Sequence, residues 1–363
     1  MEEIRGVWIP NVGHSKVLDS QPNTADAMSF LADMGFNAVF PVVWNQGFTL
    51  YRSQIMKAIF GFEIDPHFAS QGRDPLEELI EEAHSQGIAV IPWFEYGFAC
   101  SARPDGGHIL AEKPQWAARI QNGTLLKNGG LTWMNGLDRQ VQDFMQSLIV
   151  EVATKYKVEG IQGDDRLPAF PSEGGYDQDT ISNYRADFGV NPPNNTKDFQ
   201  WIEWRANILT KFMTRLYSAV KNINPNLVVS MSPNPYPWCL DNYLQDTKTW
   251  VNQGLVDIIS PQLYRENFVK YGKEVNIINQ HFPNDMEKVA PGISFKANGI
   301  DINPDDINSY ITLNRQQGFR GQVFFHYEGL KRNVRGGTLA KVIKEGSYSE
   351  VASLPFPFSV DFA

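Results

Sequence analysis

The feature that most constrains this chain is an alternation. Short runs rich in β-branched and aromatic residues are followed, repeatedly, by longer runs whose apolar residues fall at helical spacing. Residues 4–11 read as a strand and 24–35 as the helix after it, closing at glycine. Residues 37–45 read as the second strand. Asp74-Pro75 opens a helix through Gln86 with Gly87 as its stop, because Asp suits an N-cap and Pro the first helical turn. Residues 88–96 read as the third strand. The helix beginning near Leu137 then aligns Val141, Phe144, Met145, Leu148, Ile149 and Val152 on one face. Residues 158–164 read as the fourth strand. The pattern continues with helix 199–222, strand 227–234, short helix 247–253 and strand 256–264. Helix 268–282, strand 289–296, helix 305–317 and strand 322–328 follow, with a weaker helical stretch at 338–344.

Alternating strands and helices argue for a parallel sheet, and eight of them for an α/β chain folded as a (β/α)8 TIM barrel. An open doubly wound sheet is the alternative. It lacks support, since no Gly-rich phosphate fingerprint follows an early strand. Three connections are long: 46–72 after strand two, 97–136 after strand three and 166–197 after strand four. In a barrel all three crown the C-terminal face, where barrel active sites form. No internal repeat or linker divides residues 1–363, so one domain is expected, with residues 354–358 packing across the barrel.

Charge and composition exclude several functions. A formal net charge of −9 argues against nucleic acid or an anionic membrane as main partner. No apolar run is long enough to span a bilayer. The charged opening Met1-Glu2-Glu3-Ile4-Arg5-Gly6 does not read as a signal peptide. The expected location is therefore periplasmic, extracellular or cell-envelope if a leader was trimmed, and cytoplasmic otherwise. Cys100 and Cys239 are far apart and read as unrelated thiols.

Side chains alternate across a strand, so each strand offers an inward and an outward set. Gln162 and Asp164 oppose Ile161 and are expected to point into the barrel mouth. In the eighth strand Phe324, His326 and Glu328 form the set opposite Val323 and Phe325 and are expected to do the same. The strand ends then converge Asn45, Glu95, Asp164, Asp165, Asn234, Tyr264, Lys296, His326 and Glu328, with Gln262 on the inward parity of strand six. Strand ends are also polar wherever they border solvent, and fold alone gives no function.

Of the chemistries open to this set, paired carboxylates are best supplied. Asp164, Glu95 and Glu328 stand on three strand ends, and glycoside hydrolysis needs two carboxyl groups across a cleft, one protonated and one ionised. Lys296 could hold one ionised, and burial could keep the other protonated. The aromatics Trp44, Trp93, Tyr96, Trp133, Tyr236, Trp238 and Tyr264 fall at strand ends or in crown loops, where sugar faces would lie, although packing is the commoner use of such rings. Serine-nucleophile, zincin and P-loop signatures are absent. Two other readings stay open: a non-catalytic carbohydrate-binding barrel, and a metal-dependent hydrolase using Asp164, Asp165 and His326. No cofactor is expected; the partner is an oligo- or polysaccharide, and the oligomeric state is left open.

At these residues the sequence resembles the bacterial glycosyl-hydrolase-like family ten. The resemblance is carried by Ile4-Arg5-Gly6-Val7-Trp8, Asp74-Pro75-Leu76, Pro92-Trp93-Phe94-Glu95 and Trp133-Met134-Asn135. It continues in Val158-Glu159-Gly160-Ile161-Gln162-Gly163-Asp164-Asp165, Ser260-Pro261-Gln262-Leu263-Tyr264 and Phe324-Phe325-His326-Tyr327-Glu328. It implies a barrel that hydrolyses a bacterial cell-envelope polysaccharide, peptide-free peptidoglycan strands being the substrate of one member. Asp164 and Asp165 match the family's paired Asp, and Glu328 a Glu of its last strand. Many members carry His where Gln162 stands, an aromatic where Arg166 stands and Asn where Glu95 stands. On this reading Asp164 is nucleophile or base and Glu328 or Glu95 the acid. Asp165, Asn45, Trp44, Trp93, Tyr96, Asn234, Gln262, Tyr264, Lys296 and His326 would then hold sugar.

Overall fold

The computed structural model describes residues 1–11, 15–297 and 300–358, the side chains of residues 296, 297, 300 and 301 excepted. The first strand, Ile4–Ile9, is buried along its whole length. It pairs in parallel with the second, Ala38–Pro41, and with the eighth, Gly321–Phe325. The seventh, Gly292–Ser294, lies beside the eighth. The third is split in two. Its segment Ala89–Val90 pairs with the second strand, and Trp93–Phe94 pairs with the fourth, Gly160–Gly163. The split falls at Pro92, which has no N–H to give a ladder. The fifth, Val228–Met231, and sixth, Ile258–Ile259, complete a second sheet.

The two sheets are joined at their edges. Isolated parallel bridges link Val42 to Trp93, Ile259 to Val289 and Gln262 to Gly292. The architecture is α/β, with parallel strands in chain order. The helices between them begin as the sequence indicates. Asp74, Asp138, Asp198 and Asn267 each accept a backbone N–H of the first helical turn, a cap contributing about 1 kcal/mol. The first helix starts earlier than expected, at Gln21, because Ser20 caps it and Pro22 fits its first turn. The expected sixth strand, 256–264, shortens to two residues around Pro261. Its backbone nevertheless stays bonded to the fifth strand, from Asp257 N–H to Val229 and from Gln262 N–H to Pro233.

The three long connections are themselves structured. The first holds helix Gln54–Phe60, the second a small sheet containing Ala99–Ser101 and Leu131–Trp133, and the third helix Gln178–Phe188. Arg205, buried, fastens the third connection by donating to the carbonyls of Ser172, Gly174 and Thr196.

Between the strands the interior is packed. Trp8 contacts the rings of Phe40, Trp93 and Phe325. Its Nε1 donates to Gln162 Oε1 at 2.7 Å, and Gln162 Nε2 donates to Ser230 Oγ at 2.9 Å. The inward face of the eighth strand is the reverse of the expectation. Phe325 meets the central aromatics, whereas Phe324 packs outward on Phe36 and Phe295. The strand ends at Phe325, and Glu328 belongs to the short helix Tyr327–Leu330.

At the N-terminal end of the strands lies a buried ionic cluster. Glu3 accepts from Arg5 Nε at 2.9 Å and from Arg315 Nη2 at 2.8 Å. The tail closes over this end: Ser353 bridges Glu2, and Leu354, Phe356 and Phe358 pack on the core.

Candidate active site

The C-terminal ends of strands three and four carry a cluster of charged side chains. Their register pairs Gly163 with Phe94, so the next residues, Asp164 and Glu95, stand side by side. Both have inward parity. Asp164 is 1% exposed and Glu95 9%. Between them sits the Arg166 guanidinium. Its Nη2 donates to Asp164 Oδ2 at 2.6 Å and lies 3.7 Å from Glu95 Oε1. Its Nε donates to the Glu95 carbonyl at 2.8 Å and lies 3.6 Å from Asp165 Oδ1. The Tyr96 ring lies beneath, 5.5 Å from the guanidinium carbon.

Each carboxyl is oriented by further donors. Asn45 Nδ2 donates to Glu95 Oε2. Gln262 Nε2 donates to Asp164 Oδ1 at 3.0 Å, and Ser232 Oγ approaches the same oxygen at 3.4 Å. Asn234 Nδ2 donates to Asp165 Oδ2 at 3.2 Å. Burial pushes the Glu95 carboxyl above its ordinary range, against the opposing pull of Arg166 and Asn45. Burial and then the neighbouring Asp165 push Asp164 well above its own, Arg166 again opposing. Burial works against the charge on Arg166, but the three carboxylates raise it nonetheless. Burial and the single cation thus act on Asp164 and Glu95 in opposite senses, the kind of environment that tunes a carboxyl for acid or base work.

A cleft of about 510 Å³ opens beside this cluster, walled by Asp165, Asn234, Tyr236, Trp238, Gln262 and Tyr264. Trp238 is 51% exposed. Tyr264 stacks on Phe325 at 5.6 Å, and burial raises its hydroxyl well above the usual value. The cleft joins polar donors to aromatic faces, the combination that holds sugar rings.

Thus Asp164, Glu95, Asp165, Asn45 and Tyr96 gather about Arg166, with Asn234, Gln262 and Tyr264 at the cleft. Other expected residues go elsewhere. Trp44 is fully buried; its Nε1 donates to the Gly97 carbonyl and its ring meets Phe144 on the helix layer. Trp93 is buried and wedged between Trp8 and Phe325 in the interior between the strands, so its ring packs instead of presenting a sugar platform. Glu328 does not join the cluster. It bonds His326 Nδ1 at 2.5 Å and the Lys16 backbone N–H at 3.2 Å, beside a separate cavity of about 300 Å³. Hydrogen bonds from His326 and Ser15 hold its carboxyl below the usual range, although burial pushes the other way. Because His326 turns to Glu328, the Asp164–Asp165–His326 tripod is not assembled. Among the described residues no group of three His, Cys, Asp or Glu could hold a metal ion. The Lys296 side chain lies outside the described residues. The residue that sequence reasoning undervalued is Arg166, present only as the last letter of an Asp-Asp-Arg run following a strand.

Comparison with known proteins places the chain in a family. The sequence pattern described as glycosyl hydrolase-like 10 matches residues 3–305. The glycosyl hydrolase DigH of Escherichia coli (strain K12) is 26% identical over 72% of this chain, which spans 66% of that relative's length. The glycosyl hydrolase YngK of Bacillus subtilis (strain 168) is 22% identical over 97% of this chain and 73% of its own. In three dimensions the glycoside hydrolase domain of PgaB (BpsB) from Bordetella bronchiseptica superposes with a TM-score of 0.66 at 12% identity. That match covers 90% of this chain and 94% of that one, and at such identity it speaks to fold alone. With the family pattern running through most of its length, the chain belongs to the glycosyl hydrolase-like 10 family.

Proposed function

We propose that this chain is a glycoside hydrolase that cleaves a bacterial cell-envelope polysaccharide, with peptide-free peptidoglycan strands the first substrate to test. Family membership supports the reaction class. The observation that carries the site is the pair Glu95 and Asp164, set on neighbouring strand ends around one guanidinium. Two buried carboxyls, one protonated and one ionised, would supply the acid and the base or nucleophile of glycosidic cleavage. Glu95, not Glu328, is Asp164's partner on this reading, because Glu328 is committed to His326 and the Lys16 backbone. Asp165, Asn234, Gln262 and Tyr264 hold the sugar, with Tyr236 and Trp238 extending the cleft. The scaffold on this reading is a single closed (β/α)8 barrel. The three bridges between sheet edges support its closure.

The test is incubation with a panel of polysaccharides, peptide-free peptidoglycan strands included, followed by mass spectrometry of products from wild type, Asp164→Asn and Glu95→Gln. Cleavage by wild type and its loss in both variants is the expected result. Unchanged turnover in Asp164→Asn would sink the assignment. The burial of Asp164, both of whose oxygens already have donors, favours one second reading, a barrel that binds glycan without cutting it. Tight calorimetric binding with no products would select that reading.

A further inference from the structure

The geometry points to Arg166 as a positioning residue that sets Glu95 and Asp164 at the short carboxyl spacing of hydrolysis with retention. The inference rests on the glycosidase reading above and adds its stereochemical outcome. Two independent observations point to a short spacing. The strand register puts the two residues directly side by side, and neighbouring strands lie about 4.8 Å apart. One guanidinium nitrogen reaches both groups, at 2.6 Å to Asp164 Oδ2 and 3.7 Å to Glu95 Oε1. Those two oxygens can therefore lie no more than about 6.3 Å apart, short of the roughly 6.5–9.5 Å that leaves room for an inverting water.

Two carboxylates so close repel, and the cation between them offsets that repulsion. Arg166 is itself held in place. Its Nε is tied to the Glu95 carbonyl, and its own carbonyl accepts the Phe98 N–H at 2.9 Å. In the reaction that follows, one carboxylate attacks the anomeric carbon and forms an ester-like C–O bond. The glycosidic C–O bond breaks, its electron pair stays on the leaving oxygen, and that oxygen takes the proton of the other carboxyl. Water then gives a proton back to that second group, and its oxygen displaces the ester. Both carboxyl groups are restored, one water is consumed, and two inversions leave the configuration unchanged. Arg166 makes and breaks no bond.

The test compares wild type, Arg166→Ala and Arg166→Lys. Proton NMR of the earliest product from wild type should find the substrate's anomeric configuration; the opposite configuration overturns the proposal. Arg166→Ala should lose more than about 100-fold in kcat with KM changed only a few-fold, as misplacing reacting groups does. Its pH–rate profile should move to higher pH, because both carboxyls lose the cation that lowers them. Arg166→Lys should restore part of both. An alanine variant with the wild-type profile and kcat refutes the role. If wild type cleaves nothing, the glycosidase reading fails by itself. Carbon-13 NMR titration of the carboxyls then decides the positioning role: Glu95 should titrate at higher pH in Arg166→Ala, and an unmoved titration overturns it.

Discussion

Gly97 offers a way to disturb the site without touching a carboxyl. It has φ of 51°, and a Cβ built there would lie 2.1 Å from the Arg166 carbonyl oxygen and 2.4 Å from its carbon. Non-bonded heavy atoms settle at about 3.5–4 Å, so in Gly97→Ala the Arg166 backbone must retreat by at least about 1 Å. Three costs add. The left-handed backbone costs an L-residue about 1–2 kcal/mol. Forcing a methyl against packed backbone costs about 1–3 kcal/mol. The bond from Phe98 N–H to the Arg166 carbonyl, 2.9 Å long, is stretched or lost, worth about 1 kcal/mol. The sum is roughly 3–6 kcal/mol of stability. Gly87→Ala is the control, since Gly87 has φ of 72° with nothing within 4 Å of its Cβ and should cost only the backbone term. Urea midpoints of the two variants at equal slope read the difference. A shift of about 1 Å in Arg166 should also lower kcat about 100-fold in Gly97→Ala alone. If Gly97→Ala unfolds at the same urea concentration as Gly87→Ala and turns over normally, the coupling of these two loops through Arg166 is wrong.

Other expectations are simpler. Burial pushes the Glu3 carboxyl up, but hydrogen bonds from Arg315 and Arg5 more than offset this and hold it low. Its stabilisation is therefore present above the unfolded value near pH 4.3 and is lost as pH falls through the folded value. Glu3→Gln should cost about 3–5 kcal/mol at neutral pH and flatten the acid limb of melting temperature against pH; parallel wild-type and variant curves would contradict it. Trp238→Ala should weaken glycan binding up to about tenfold, from the loss of a ring face, while leaving the melting temperature in place. Equal affinity by calorimetry would remove Trp238 from the sugar site. Cys100 and Cys239 are buried, and burial pushes both thiols up to about 12, so a thiol-reactive disulfide reagent should titrate neither until denaturant is added.

Much of this was legible in the residues. The helix starts at Asp74, Asp138 and Asp198 follow from cap chemistry that is local to the chain. The inward parity of Gln162 and Asp164 followed because Gly160–Gly163 is regular and its outward neighbour Ile161 is apolar. The eighth strand misled for the opposite reason. With Phe324 and Phe325 adjacent, hydrophobicity does not distinguish the two faces, and the strand ends before His326, so parity no longer applies to Glu328. Trp44 and Trp93 were indistinguishable from exposed rings, since a Trp at a strand end packs or binds according to neighbours that arrive from distant segments, here Phe144 and Trp8. Arg166 was hidden for a related reason. Its three carboxylate neighbours come from two strands, and only the register of those strands brings Glu95 beside it.

The pairing of the first strand with the eighth has a consequence for how the chain is made. Ile4 finds its partner at Gly321, so this edge of the first strand stays open until more than 300 further residues have been made. At roughly 5–20 residues per second of synthesis, that wait is on the order of 15–60 seconds. Throughout it, the apolar Ile4, Val7, Trp8 and Ile9 stand in a strand with one unpaired side, the kind of surface on which nascent chains aggregate. The pairing of the first strand with the eighth is therefore made late. Folding in the cell should depend on whatever shelters that edge, and a chain stopped short of the eighth strand should be captured by holdase chaperones.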